Sequence, residues 1–194
     1  MPMPSLFVMV PRTGNTSIWT WLCSHGGEPI ELGPNRYRFP LLDCVTTMHW
    51  PAKTWRRLAK GRFVFGFCRD TYTRLESIAA YRGYSSLARF VKHIRQGCIV
   101  PMLKYGPKMN FAAPQATWLA WEKTLAVDFL GEQERLDQDF ARLCVTLGWP
   151  ERKLPHKNHR PRTFSDGWTD EMRRVVQSVY REDFLLLGDE KVKG

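Results

Sequence analysis

Apolar residues along the chain follow two rhythms. Short apolar runs occupy residues 6–10 (LFVMV), 63–67 (FVFGF) and 126–130 (AVDFL), and 41–47 (LLDCVTT) is a further candidate strand. Each has strand length; the continuous apolar character of 6–10 suits a strand covered on both faces, and 63–67 reads as a buried strand. Between them, apolar residues recur three and four apart, the spacing of a helix face. Ile18, Trp19, Trp21 and Leu22 follow the first run, and Gly26-Gly27 closes that helix. Residues 27–40 are turn-rich, with short strands at most. Pro51 opens a short helix, PAKTWRRLAK, stopped by Gly61. CRDTYTRLESIAAYRG passes from strand to helix. Leu87, Phe90, Val91 and Ile94 then share one face, with Ser85 or Ser86 as cap and Gly97 as terminator. Residues 98–113 are irregular, and a helix from Pro114-Gln115 runs through Trp118, Leu119 and Trp121. Leu136, Phe140, Leu143, Cys144 and Leu147 form another helix, ended by Gly148. The last begins near Thr169, buries Met172, Val175, Val176 and Val179, and stops at Gly188. Strands alternating with helices predict an α/β fold with a mainly parallel sheet. A length of 194 residues predicts one domain, 1–194.

Composition narrows the setting. Hydrophobic residues make up 43%, with eight Trp and eleven Phe, which argues for a packed globule over a disordered chain. No run approaches the roughly 20 apolar residues of a membrane helix. MPMPSLFVMV lacks the basic start of a signal peptide, so the expected location is the cytoplasm. Five cysteines are scattered without a CxxC pair, which reads as reduced packing residues and not as a disulfide framework or zinc site. The net charge of +10 favours a polyanionic partner: nucleic acid, an acidic glycan or a multiply phosphorylated cofactor.

The first run carries the candidate chemistry. Pro11 ends it, and Arg12, Thr13, Gly14, Asn15, Thr16 and Ser17 form a polar turn into the helix, with Thr16 or Ser17 as its expected cap. A strand turning tightly into a helix aims backbone N–H groups at one point, where an anion can bind. Gly14 permits close approach, Thr16 and Ser17 add hydroxyls, and Arg12 adds a cationic fork. A Walker loop would place lysine after its last glycine, whereas that position is Asn15 here. A second candidate follows the run at 63–67. Arg69 stands at a strand end and Ser77 about two turns into the next helix, a pairing that can meet one phosphate over a sheet edge.

PRTGNTS and RDTYTRLES together resemble the 5′-phosphosulfate and 3′-phosphate motifs of sulfotransferases that use 3′-phosphoadenosine 5′-phosphosulfate (PAPS), of the carbohydrate type. PQATWLAW, AVDFLGEQERLDQDFARLCVTLG, LPHKN and YREDFLLLG resemble further segments of that family, so the similarity spans residues 6 to 188. The resemblance implies a P-loop-NTPase-like three-layer fold and sulfuryl transfer from PAPS to a hydroxyl or amine, on a carbohydrate acceptor. The product is adenosine 3′,5′-bisphosphate. It assigns the 5′ loop to Arg12, Gly14, Thr16 and Ser17, flanked by Thr13 and Asn15, and the 3′-phosphate to Arg69 and Ser77. His49, in MHWPA, resembles the base of uronyl 2-O-sulfotransferases, with Glu76 and Asp70 as alternatives. Arg160 and Arg162, in the basic loop 150–168, are expected to close over the cofactor or line the acceptor entrance. Three positions depart from the family pattern: Arg12 for lysine, Asn15 for the second glycine, and Thr71 for the proline of RDP. Arginine clamps an anion but cannot donate a proton.

Two other readings remain at this stage. A P-loop nucleotide kinase would need GK[ST] and a magnesium-binding carboxylate at a strand end. A non-catalytic basic module for nucleic acid or acidic polysaccharide accounts for the charge but not for two spaced anion motifs. A degenerate sulfotransferase that binds cofactor without turnover is a third variant. No Asp/His cluster suggests a metal.

Overall fold

The computed structural model describes residues 1–97, 111–155 and 164–188. In chain order, strand β1 (Ser5–Met9) leads into helix α1 (Asn15–His25), then a hairpin of β2 (Ile30–Gly33) and β3 (Arg36–Phe39), then β4 (Cys44–Met48). A short helix α2 (Ala52–Trp55) precedes β5 (Phe63–Cys68), which is followed by α3 (Thr71–Tyr81) and α4 (Leu87–Arg95). After α5 (Ala116–Leu119) comes a small hairpin, β6 (Ala120–Trp121) and β7 (Thr124–Leu125). Next are β8 (Phe129–Glu132), α6 (Leu136–Leu147), α7 (Asp170–Val179) and α8 (Arg181–Leu187).

Two compact units emerge, one of residues 1–69 and 117–159, the other of 70–116 and 160–194. The first holds a six-stranded sheet in the order β2-β3-β4-β1-β5-β8. β4, β1, β5 and β8 run parallel, while β2 and β3 add an antiparallel edge. The sheet is therefore mainly parallel and flanked by helices, as the alternation predicts. β1 is buried along its whole length, the mark of a strand covered on both faces. On one face Phe7, Met9, Phe65 and Phe67 pack with Ile18, Trp21 and Leu22 of α1 and Phe140, Leu143 and Leu147 of α6. Gly66 lies against Leu119: a Cβ there would come within 2.6 Å of the leucine side chain.

Among its described residues the second unit is helical. Leu75, Ile78 and Ala79 of α3, Phe90, Val91 and Ile94 of α4, and Met172, Val176 and Tyr180 share its core. Arg74 is also fully buried there, donating to the carbonyl oxygens of Phe111 (2.8 Å) and Ala113 (3.1 Å). Asp183 accepts the amides of Gln115 and Ala116, both at 2.8 Å, and burial raises its carboxyl above the ordinary value.

Several boundaries differ from expectation, each for a local reason. α1 starts at Asn15, with Gly14 in the left-handed region as cap, so neither Thr16 nor Ser17 caps it. The helix expected through Trp121 stops at Leu119, because Glu122 and Lys123 take left-handed φ values of 49° and 64° and turn the chain into the β6–β7 hairpin. The strand expected at 126–130 lies at 129–132. Asp128 spends its carboxylate on the Val64 amide just before it. The terminal helix is broken at Tyr180 into α7 and α8, leaving Val179 at 41% exposure instead of buried.

Candidate functional site

The order of the parallel strands sets the place. From β1 the chain departs to one side, toward β4, and from β5 to the other, toward β8. Ligands of open α/β sheets bind outside the carboxyl ends of the strands where that direction switches. The loop 10–14 and Arg69 follow the carboxyl ends of the two strands at this switch, and His49 follows that of β4.

Two successive carbonyl groups organise the end of β1. Val10 O accepts the Thr13 hydroxyl at 3.0 Å and the Asn15 side-chain amide. Thr13 is fully buried and Asn15 nearly so, so both side chains are struts beneath the loop. Asn15, where the family motif carries a second glycine, thus supplies an internal tie. Met9 O accepts the His49 backbone N–H at 3.2 Å and lies 2.9 Å from its ring Nδ1. A carbonyl can only accept, so Nδ1 carries a proton, and in the neutral ring the lone pair is then on Nε2.

The backbone is unusual at the same places. Arg12 and His49 are non-glycine residues with left-handed φ of 68° and 61°, and Gly14 has φ 86°. Such conformations occur in turns, as at Glu122 and Lys123, and also at active sites. Gly14 is doubly constrained, since a Cβ would also approach the Leu136 side chain to 2.8 Å. The helical ladder begins with Ser17 N to Gly14 O at 3.0 Å, which puts the amides of Asn15 and Thr16 in the first turn, where an anion is stabilised. Arg12 is half-buried, Thr16 exposed and Ser17 buried at 6%.

Arg69 is half-buried, and its Nε lies 4.0 Å from Glu134 Oε1, a long contact. Ser77 is half-buried on α3, which belongs to the second unit. In that unit Asp70 caps α3 by accepting the Thr73 amide at 2.8 Å, and Glu76 accepts the Trp168 indole N–H at 2.7 Å. Arg160 and Arg162 lie outside the described residues, as do His156 and His159. Burial pushes the Cys44 and Cys144 thiols up to about 12, which leaves both unreactive at neutral pH.

Sequence reasoning placed Asn15 in the loop but missed its role, and missed Trp118 as a site residue altogether. The Asn15 strut was hidden because an asparagine in a polar turn gives no sign of which carbonyl it will reach. The Trp118 indole N–H donates to the His49 backbone carbonyl at 3.1 Å, a contact that no local spacing could foretell. Compared with known proteins, the chain matches no family model, no curated protein and no solved structure.

Proposed function

We propose that this chain is a sulfotransferase that moves the sulfuryl group of PAPS to a hydroxyl or amine, on a carbohydrate acceptor, and that its sheet is of the P-loop-NTPase-like type. The observation that carries the reading is the left-handed pair, Arg12 and His49, at the carboxyl ends of neighbouring parallel strands, with Met9 O holding the imidazole. A glycine cradle ahead of α1 and a cation on each strand of the switch, Arg12 and Arg69, suit a ligand with several anionic groups.

The chemistry follows from those residues. The first-turn amides of α1 and the Arg12 guanidinium would hold the 5′-phosphate and the sulfuryl oxygens. His49 Nε2 would take the acceptor proton as the acceptor oxygen bonds to sulfur and the sulfur–oxygen bond to the phosphate breaks. Sulfuryl transfer depends on alignment and charge stabilisation, as phosphoryl transfer does. Arg12 cannot protonate the leaving group and acts as a fixed charge. Arg69 would meet the 3′-phosphate.

Calorimetric titration tests the assignment. Adenosine 3′,5′-bisphosphate should bind more tightly than 5′-AMP, and Arg69→Ala should erase that preference. The expected loss is about 1.5–3 kcal/mol, that of a charge-assisted hydrogen bond. Equal affinities in the wild type would overturn the reading.

A further inference from the structure

We infer that Trp118 is a positioning residue for His49: its indole N–H locks the carbonyl of the left-handed histidine and so aims the imidazole. The inference rests on His49 being the base of the proposed reaction. A buried indole N–H needs an acceptor, and several tryptophans of the first unit find one: Trp55 on Trp118 O, Trp149 on Leu42 O and Trp21 on Arg152 O. What separates Trp118 is its target, a carbonyl belonging to a histidine with φ 61° just beyond the end of β4. A buried side chain that donates to this carbonyl restrains the peptide that carries it, and with it the backbone conformation of His49.

The donor is itself held. Trp118 is 3% exposed, its own carbonyl accepts the Trp55 indole N–H at 2.8 Å, and the next residue, Leu119, fits over Gly66 of β5. The Leu119 carbonyl in turn accepts the Ala126 amide at 2.8 Å. His49 is thus fixed from both sides of its Cα. Met9 O takes its N–H and Nδ1, and Trp118 takes its C=O. Removing the indole donor takes away one restraint on the peptide after His49, which loosens the ring on Met9 O and lets the proton move between Nδ1 and Nε2.

The test uses the full chain labelled with nitrogen-15. Long-range proton–nitrogen spectra of the imidazole rings report tautomer and titration, and loss of signals in His49→Gln assigns His49. Trp118→Phe keeps an aromatic ring in the core and removes the donor, with the loss of part of the buried volume. Trp149→Phe removes an equivalent bond to Leu42 O and controls for loss of a buried indole contact. The wild type and Trp149→Phe should show His49 as the Nδ1–H tautomer, and Trp118→Phe a mixture with a displaced titration midpoint. In turnover assays Trp118→Phe should lower kcat by about tenfold or more with KM for the donor unchanged, as for a misaligned reacting group. An unaltered His49 tautomer and midpoint in Trp118→Phe would overturn the inference, as would equal changes in Trp149→Phe. Because the spectra require no substrate, failure of the sulfotransferase reading would show separately, as absent turnover in the wild type.

Discussion

Arg12 and His49 hold left-handed backbones that cost a non-glycine residue roughly 1–2 kcal/mol each. Strain of that size persists only where surrounding bonds over-determine it, and the ties to Met9 O, Val10 O and Trp118 do so here. Arg12→Ala should therefore abolish most sulfuryl transfer with little change in melting temperature, while Arg12→Lys should keep much of the activity because it keeps the charge. A wild-type rate in Arg12→Ala would remove the loop from the mechanism. His49→Ala should leave bisphosphate affinity near wild type and lower turnover by roughly a hundredfold or more, the usual effect of losing a general base. Unchanged turnover would sink that role. Arg69 offers a subtler check. Glu134 competes for its guanidinium across 4.0 Å, so Glu134→Gln should tighten bisphosphate binding several-fold in a titration, and weaker binding would show that the acid orients the arginine.

At the scale of elements, apolar runs located each parallel strand to within a few residues, most closely for β1 and β5, which are buried along nearly their whole length, and less closely for the part-buried edge strand β8. The candidate loop was legible because its glycine, hydroxyls and cation are all local to one turn. What escaped notice depended on partners distant in sequence. Gly131 is one example. It sits opposite Phe67 in the β5–β8 register, and a Cβ there would fall 2.3 Å from the aromatic ring. Gly131→Ala should cost about 1–3 kcal/mol by overpacking, read from denaturant unfolding, and a neutral result would mean the ring moves freely. The start of α4 provides another. Ser86 caps it as the sequence predicts, yet Asp166 also accepts the Ser86 hydroxyl and the amides of Leu87 and Ala88. Those bonds, the Ala88 amide foremost, hold the Asp166 carboxyl below its ordinary value. A depressed folded value means the stabilisation is present above the unfolded value and is lost as pH falls through the folded one. Asp166→Ala should thus melt below wild type at neutral pH, with the gap closing in acid. A gap independent of pH would contradict the cap.

Over the whole molecule, the formal charge of +10 draws any polyanion, so binding alone discriminates little. Among the described residues no helix is long and apolar enough to cross a membrane. The discriminating property is selectivity between ligands of similar charge. Adenosine 3′,5′-bisphosphate and ADP carry the same base and the same number of phosphates, placed differently. A site built from the Arg12 loop at one strand end and Arg69 at the next favours phosphates on separate positions of the ribose, whereas a Walker-type site favours a contiguous chain. The most direct test is therefore a thermal-shift comparison of adenosine 3′,5′-bisphosphate, ADP and ATP at moderate salt. The account predicts a clear stabilisation by the bisphosphate, about 2.7 kcal/mol at a hundred times its dissociation constant, and a much smaller effect of ADP and ATP. Equal shifts with all three, or a larger one with ATP, would contradict it.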